Sequence, residues 1–193
     1  MWIGDATLVE GARPDVAAAF PGYPQNARAG WGLTVLTNML PNGGNGPITF
    51  HAYAYDINNN ETWLGSRSVT GTNETSVLPF GTIDTPGQGD TVSGVIRNWG
   101  WALTPSPGMI PLDGSTIGVY IDGVFVGHPV YGLNRHDIAV AFPGYANTNA
   151  AVGYFDFDTR DLSNGVHTIA WVMFDDLGRG QGIGSRYFTV QNQ

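Results

Sequence analysis

One stretch of this chain occurs twice, and that recurrence constrains the fold more than any local pattern. Arg13-Pro14-Asp15-Val16-Ala17-Ala18-Ala19-Phe20-Pro21-Gly22-Tyr23 returns as Arg135-His136-Asp137-Ile138-Ala139-Val140-Ala141-Phe142-Pro143-Gly144-Tyr145, an offset of 122 residues (135 less 13). Downstream, Asn45-Gly46 meets Asn164-Gly165, Asp56 meets Asp175, and Gly65-Ser66-Arg67 meets Gly184-Ser185-Arg186, now at an offset of 119 (184 less 65). Only a short net gap separates the copies, and an internal repeat of this kind sets the architecture before propensities are consulted. It implies two tandem units: an incomplete repeat over residues 1–75 and a complete one over residues 76–193.

Composition narrows the class. Charged residues make up only 12% of the chain, aromatics another 12%, and glycine contributes 28 of 193 residues. Apolar surface on this scale argues against disorder, and few charges with many glycines and β-branched residues point to strands joined by tight turns. The formal net charge of −8 repels phosphate backbones, so nucleic-acid binding is disfavoured; loop carboxylates could instead hold Ca²⁺. With no cysteine there are no disulfides, zinc–thiolate sites or cysteine nucleophiles. No stretch reaches the roughly 20 apolar residues needed to span a bilayer. The opening Met-Trp-Ile-Gly-Asp has no basic or apolar region of a signal peptide.

Along the chain, residues 1–9 and Trp31–Leu36 read as strands. The Arg13–Tyr23 stretch reads as a short helical turn entered through Pro14 and stopped by Pro21-Gly22. Ile48–Tyr55 alternates, with Ile48, Phe50, Ala52 and Ala54 on one face and Thr49, His51, Tyr53 and Tyr55 on the other; Trp63–Val69 closes a hairpin. The second unit opens at Phe80-Gly81-Thr82-Ile83-Asp84. Strands Thr91–Ile96 and Trp99–Leu103 follow, broken at Arg97-Asn98. Asp122-Gly123 between Ile117–Ile121 and Val124–Val126 is a strong hairpin signal, because a type I′ turn needs positive φ at both central residues. Val152–Phe157, Val166–Phe174 and Ser185–Val190 complete the set. Many short strands with regular turns and no long amphipathic helix predict a β-sandwich.

Several phrases resemble bacterial Ig-like modules strung along large secreted or cell-surface proteins. They are Phe80-Gly81-Thr82-Ile83-Asp84-Thr85-Pro86, Gly100-Trp101-Ala102-Leu103, Ile121-Asp122-Gly123, Arg135-His136-Asp137-Ile138, Asn164-Gly165-Val166-His167-Thr168-Ile169 and Gly184-Ser185-Arg186-Tyr187-Phe188-Thr189-Val190. The resemblance covers essentially all of 78–193 and, more loosely, 1–70. It implies an all-β fold of two tandem Ig-like sandwich units, the first lacking its opening strands. It also implies an extracellular or surface setting, and a structural or adhesive role without chemistry of its own. Some relatives place a cysteine pair after the Arg-x-Asp stretch; here that loop must be ordered by packing or a bound ion. A repeat without its opening strands exposes a sheet edge and apolar core. It would be completed by a neighbouring Ig-like module, by a second copy of the chain in a dimer, or by a rearranged sheet.

Candidate site residues fall into four groups. Arg13 with Asp15, and Arg135 with Asp137, could clamp an anionic or carbonyl ligand, or pin a loop through backbone contacts; recurrence in both copies favours the loop. Asp156 and Asp158 share a strand face and Asp161 sits in the next turn, an oxygen set suited to Ca²⁺; Asp175 is an Asx-turn residue or a further ligand. Among His51, His128, His136 and His167, none sits in a Gly-x-Ser-x-Gly elbow or a His-x-x-x-His spacing. His136 with Asp137 is where acid–base chemistry would lie, in a small Ca²⁺-dependent hydrolase of an ester or lactone. Finally, Trp101 and Trp171 are assigned to the core, whereas Trp63, Tyr53 and Tyr55 are candidates for an exposed carbohydrate-stacking platform.

Overall fold

The sequence repeat is also a structural repeat. The computed structural model describes residues 1–193. Its first elements are β1 (Thr7–Val9), α1 (Pro14–Ala19), β2 (Gly30–Gly32), β3 (Asn45–Tyr55) and β4 (Glu61–Thr72). Next come β5 (Phe80–Ile83), β6 (Asp90–Val92), β7 (Val95–Leu103), β8 (Ile117–Ile121) and β9 (Val124–Gly127). The opening pattern then returns as β10 (Val130–Leu133), α2 (His136–Ala141), β11 (Val152–Asp158), β12 (Gly165–Phe174) and β13 (Gly180–Val190). Both copies of the repeated stretch form six-residue helices. Each ends where Phe20 or Phe142 donates its N–H to the carbonyl of Val16 or Ile138, just ahead of a Pro-Gly that cannot continue the turn. The ribbons correspond too: β1–β2 and β10–β11 are antiparallel pairs, as are β3–β4 and β12–β13.

Met1–Thr34 and Val77–Gln193 form one compact unit and Val35–Ser76 a second. The segment expected as the first repeat is therefore divided, its opening 34 residues belonging with the complete repeat.

The larger unit is an all-β sandwich. One sheet runs β10-β11-β7-β5 and the other β6-β13-β12-β8-β9, all neighbours antiparallel except the parallel β6–β13 pair. Alternation fills the space between them. Ile117, Val119 and Ile121 of β8 and His167, Ile169, Trp171 and Met173 of β12 point inward and are buried, while their neighbours are more exposed. Ile83, Ala102, Tyr131, Ile183, Phe188 and Val190 close the core. Trp101 and Trp171 are buried, as the sequence predicts. The β1–β2 ribbon lies against Gly89, at φ +81°, where a Cβ would fall 2.9 Å from the Thr7 methyl. Glycine is required there both for its backbone conformation and for this close approach. Val9 of the same ribbon is only 2% exposed.

The smaller unit is the β3–β4 hairpin with 3₁₀ turns at Thr37–Met39, Pro41–Gly44 and Asn73–Thr75 gathered at its base. Asn73 donates to the Gly43 carbonyl at 2.8 Å, and Asn45 accepts from the Glu74 N–H at 2.8 Å. These side chains satisfy turn groups that a two-stranded ribbon leaves open.

The structure also differs from the sequence reading at several strands, among them Thr91–Ile96, whose first two residues belong to β6 in one sheet and last two to β7 in the other. Strand β7 runs unbroken through Arg97-Asn98, because Arg97 points outward to Asp156 on the adjacent strand and Asn98 points inward to partners of its own. Strand β10 was not expected. Residues 1–6 and 33–36 carry no regular structure, so β1 and β2 are three-residue strands.

Candidate functional site

The Arg-x-Asp motif of the complete repeat borders a cleft of about 580 Å³ lined by Asp84, Thr85, Trp99, Leu133, Asn134, Arg135 and Val152. Strand β10 delivers Arg135 to the start of α2, and β5 ends just before Asp84, so the topology brings them together. Arg135 donates from Nε to Asp137 at 2.8 Å and from Nη2 to the same carboxylate at 3.0 Å. Its remaining amino group bonds Asp84. One guanidinium thus clamps the end of β5 to the first turn of α2. The hydrogen bond from Arg135 holds the Asp137 carboxyl below its ordinary range, which makes it a poor proton acceptor. His136 is exposed and does not line the cleft. In the first copy, Arg13 and Asp15 form the same bidentate pair at 2.8 and 2.7 Å, with the Asp15 pKa lowered to about 2 by that contact.

The carboxylates singled out as cation ligands each have an arginine or a turn to serve. Asp156 takes both Nε and Nη2 of Arg97 at 2.7 Å, across the β11–β7 pair, and Arg97 lies 4.0 Å from the Tyr154 ring centroid and 5.7 Å from that of Trp99. Asp158 binds the Arg160 guanidinium and accepts its backbone N–H at 3.0 Å; its pKa falls to about 2, chiefly through that side-chain bond. Asp161 is the exposed last residue of the 3₁₀ turn Thr159–Asp161. Asp175, buried at the β12–β13 turn, accepts from the N–H groups of Leu177 and Arg179, from Arg179 Nε at 2.6 Å and from Thr104 at 2.9 Å. Burial works to raise its pKa, but these donors outweigh burial and lower it. Asp56 repeats the device at the β3–β4 turn, accepting from the N–H groups of Asn58 and Asn60. Nowhere do three or more His, Asp or Glu side chains converge as a cation site requires.

Sequence reasoning overlooked two interactions. His167 is 8% exposed and reaches Asp122 through Nδ1 at 2.6 Å and the Ser163 carbonyl through Nε2 at 2.8 Å. Asn98 accepts the Trp171 indole N–H at 2.6 Å and donates to the Thr85 carbonyl. Neither was legible, because each joins residues 45 or 73 positions apart, a β12 residue with the β8–β9 turn in one case and with β7 in the other.

The stacking candidates lie together on the smaller unit. Tyr53 stands directly opposite Trp63 across the hairpin, and Tyr55 opposite Glu61, whose carboxylate its hydroxyl bonds. His51 opposite Ser66 and Thr49 opposite Ser68 continue the same face, with the last pair hydrogen-bonded at 2.8 Å. Tyr53, Tyr55 and Trp63 are 46%, 55% and 60% exposed.

No protein-family model and no curated protein matches the sequence. Among solved structures, the chain is similar to the fibronectin(III)-like modules of Clostridium thermocellum CbhA, with 16% identity and a TM-score of 0.39 over 77% of this chain and 64% of that one. It is also similar to an endo-beta-1,4-mannanase from Thermotoga petrophila, with 13% identity and a TM-score of 0.42 over 64% of this chain but only 22% of that one. A third likeness, to CopC from Methylosinus trichosporium OB3b, has 15% identity and a TM-score of 0.34 over 58% of this chain and 95% of that one.

Proposed function

We propose that this chain is a structural or adhesive Ig-like module of an extracellular bacterial protein, without chemistry of its own. One observation supports this reading above others: the carboxylates singled out for catalysis or cation binding are, Asp161 apart, engaged in holding the fold. Asp84 and Asp137 share Arg135, Asp156 pairs with Arg97, Asp158 with Arg160, and Asp175 with Arg179. A general base must be free to take a proton, and the carboxylates of Asp137, Asp156 and Asp158, held low by their guanidinium partners, are not. The same Arg-x-Asp pair recurs at Arg13 and Asp15, at the start of a short helix and against Gly30 of β2, as suits a device for pinning a loop. No helix is long and apolar enough to cross a membrane.

The test is an assay of the full chain against a panel of aryl esters and lactones, with and without Ca²⁺. The expected result is no turnover above buffer. Turnover that disappears in His136→Ala or Asp137→Asn, with the thermal melt unchanged, would replace this reading with a hydrolase acting at the α2 start.

A further inference from the structure

We infer that the outer face of the β3–β4 hairpin is a binding surface for a neutral, linear polysaccharide. The internal repeat carries this inference beyond the structural role proposed above.

The two long hairpins of the chain share one register. At a constant offset of 119 residues, the pairs Thr49–Ser68, His51–Ser66, Tyr53–Trp63 and Tyr55–Glu61 correspond to Thr168–Tyr187, Ala170–Ser185, Val172–Gly182 and Phe174–Gly180. Even the break in pairing recurs, after Ala52 in one hairpin and after Ala170 in the other. The complete repeat therefore shows what this hairpin needs in order to form, and the differences show what the first copy has added.

Those differences run in opposite directions on the two faces. On the inner face, Trp171, Met173, Phe188 and Val190, all buried in the sandwich, correspond to Ala52, Ala54, Val69 and Gly71. Much of the apolar volume that would hold an opposing sheet is gone, with Ile48 and Phe50 left at the positions of His167 and Ile169. On the outer face, Ala170, Val172 and Gly182 correspond to His51, Tyr53 and Trp63. The fold does not require aromatic rings at these three positions, since the second hairpin, which has rings on that face at Tyr187 and Phe174 instead, forms without them. Large exposed rings on a strand face with no packing duty mark a contact surface.

The chemistry of that face selects the ligand. Directly opposed side chains lie about 5 Å apart and alternate residues along a strand about 7 Å apart, so Tyr53, Trp63 and Tyr55 make one continuous strip. Beside it stand the hydroxyls of Thr49, Ser66, Ser68 and Tyr55 and the carboxylate of Glu61. A pyranose has this same division, C–H groups on its face and hydroxyls around its edge, and Tyr and Trp combine an apolar body with a polar tip. Residues 35–76 carry one cation, Arg67, against Asp56, Glu61 and Glu74. Arg67 stands opposite Phe50, on the inner face, so a phosphate-rich partner finds no counter-charge on the outer one. A ribbon about 36 Å long and about 10 Å wide offers roughly 360 Å², well short of the approximately 800 Å² per partner of a stable protein interface. Its shape fits a linear chain of sugars.

The full chain should be run in native affinity gels containing xylan, galactomannan, mixed-linkage β-glucan or starch, and mixed with insoluble cellulose and chitin. Retardation or retention on at least one of these is expected. Trp63→Ala and Tyr53→Ala should each weaken it by about tenfold without changing the melt. Trp63→Phe should recover part of the binding, and Phe174→Ala, at the position equivalent to Tyr55, should leave it intact. Absence of binding to all six materials overturns the proposal, as does undiminished binding by a Tyr53→Ala, Trp63→Ala double variant. Concentration-dependent dimerisation that those substitutions abolish, without glycan binding, would give the face to a second copy of the chain instead.

Discussion

The indole N–H of Trp171 on β12 donates to Oδ1 of Asn98 on β7 at 2.6 Å, and with both side chains 0% exposed this bond ties one sheet of the sandwich to the other. Asn98 also donates to the Thr85 carbonyl, so one amide satisfies two buried groups. Asn98→Ala would leave the indole donor and the carbonyl acceptor buried and unpaired, at a cost of about 3 kcal/mol. For a unit of this size that corresponds to a melting temperature lowered by roughly 10 °C, which calorimetry would measure. A loss under about 1 kcal/mol would mean that water takes over both bonds.

Asp175 organises the β12–β13 turn from a buried position, receiving two backbone N–H groups, Thr104 and Arg179. Asp175→Ala strands a largely buried guanidinium and should destabilise the larger unit by about 3 kcal/mol, read from the urea midpoint. Asp56→Ala at the equivalent exposed turn should leave the main unfolding transition where it is.

His167 gives the stability a pH dependence of known sign. Burial lowers its pKa, but the bonds to Asp122 and the Ser163 carbonyl overcome burial and raise it. A folded pKa above the unfolded value means that the contribution is complete below the unfolded value, near 6.5, and is lost as pH rises through the folded one. The melting-temperature difference between wild type and His167→Gln should therefore be larger at pH 5.5 than at pH 8.5. Asp122→Asn should flatten that difference, and equal differences at both pH values would rule the linkage out.

Calcium would have to displace Arg97 from Asp156 and Arg160 from Asp158 before reaching either carboxylate. Millimolar CaCl₂ is accordingly expected to leave the thermal melt of the full chain unchanged. A rise of several degrees that Asp156→Ala removes would show that the ion wins that competition.

Sequence revealed what is local or repeated. The two short helices follow from Pro14 and from the Pro21-Gly22 and Pro143-Gly144 stops, and the β8–β9 hairpin from Asp122-Gly123, where Asp122 indeed has φ +50°. The alternation of Ile48–Tyr55 gave both faces of β3 correctly. What stayed hidden depends on strand neighbours. Arg97-Asn98 reads as a strand break by composition, yet it is continuous because Asp156, 59 residues away, and Trp171, 73 residues away, supply its partners. Asp156 and Asp158 do lie on one strand, as expected; the guanidinium groups that occupy them come from pairing and from the next turn, which spacing does not disclose.

The paired hairpins also give this protein a reference within itself. The β12–β13 amides are flanked by β8 and β6, whereas β3–β4 has only its own two strands. Hydrogen exchange from both ribbons can be followed in one sample, under identical solvent, at matched positions such as Phe50 and Ile169. The ratio of their protection factors measures how much a surrounding sandwich slows the opening of a ribbon that already has its own register. Slow exchange at β12–β13 and fast exchange at β3–β4 are expected, since an isolated two-stranded ribbon opens locally at little cost. A ligand held on the Tyr53–Trp63 face would then register as slowed exchange in β3–β4 alone, with β12–β13 serving as the built-in blank.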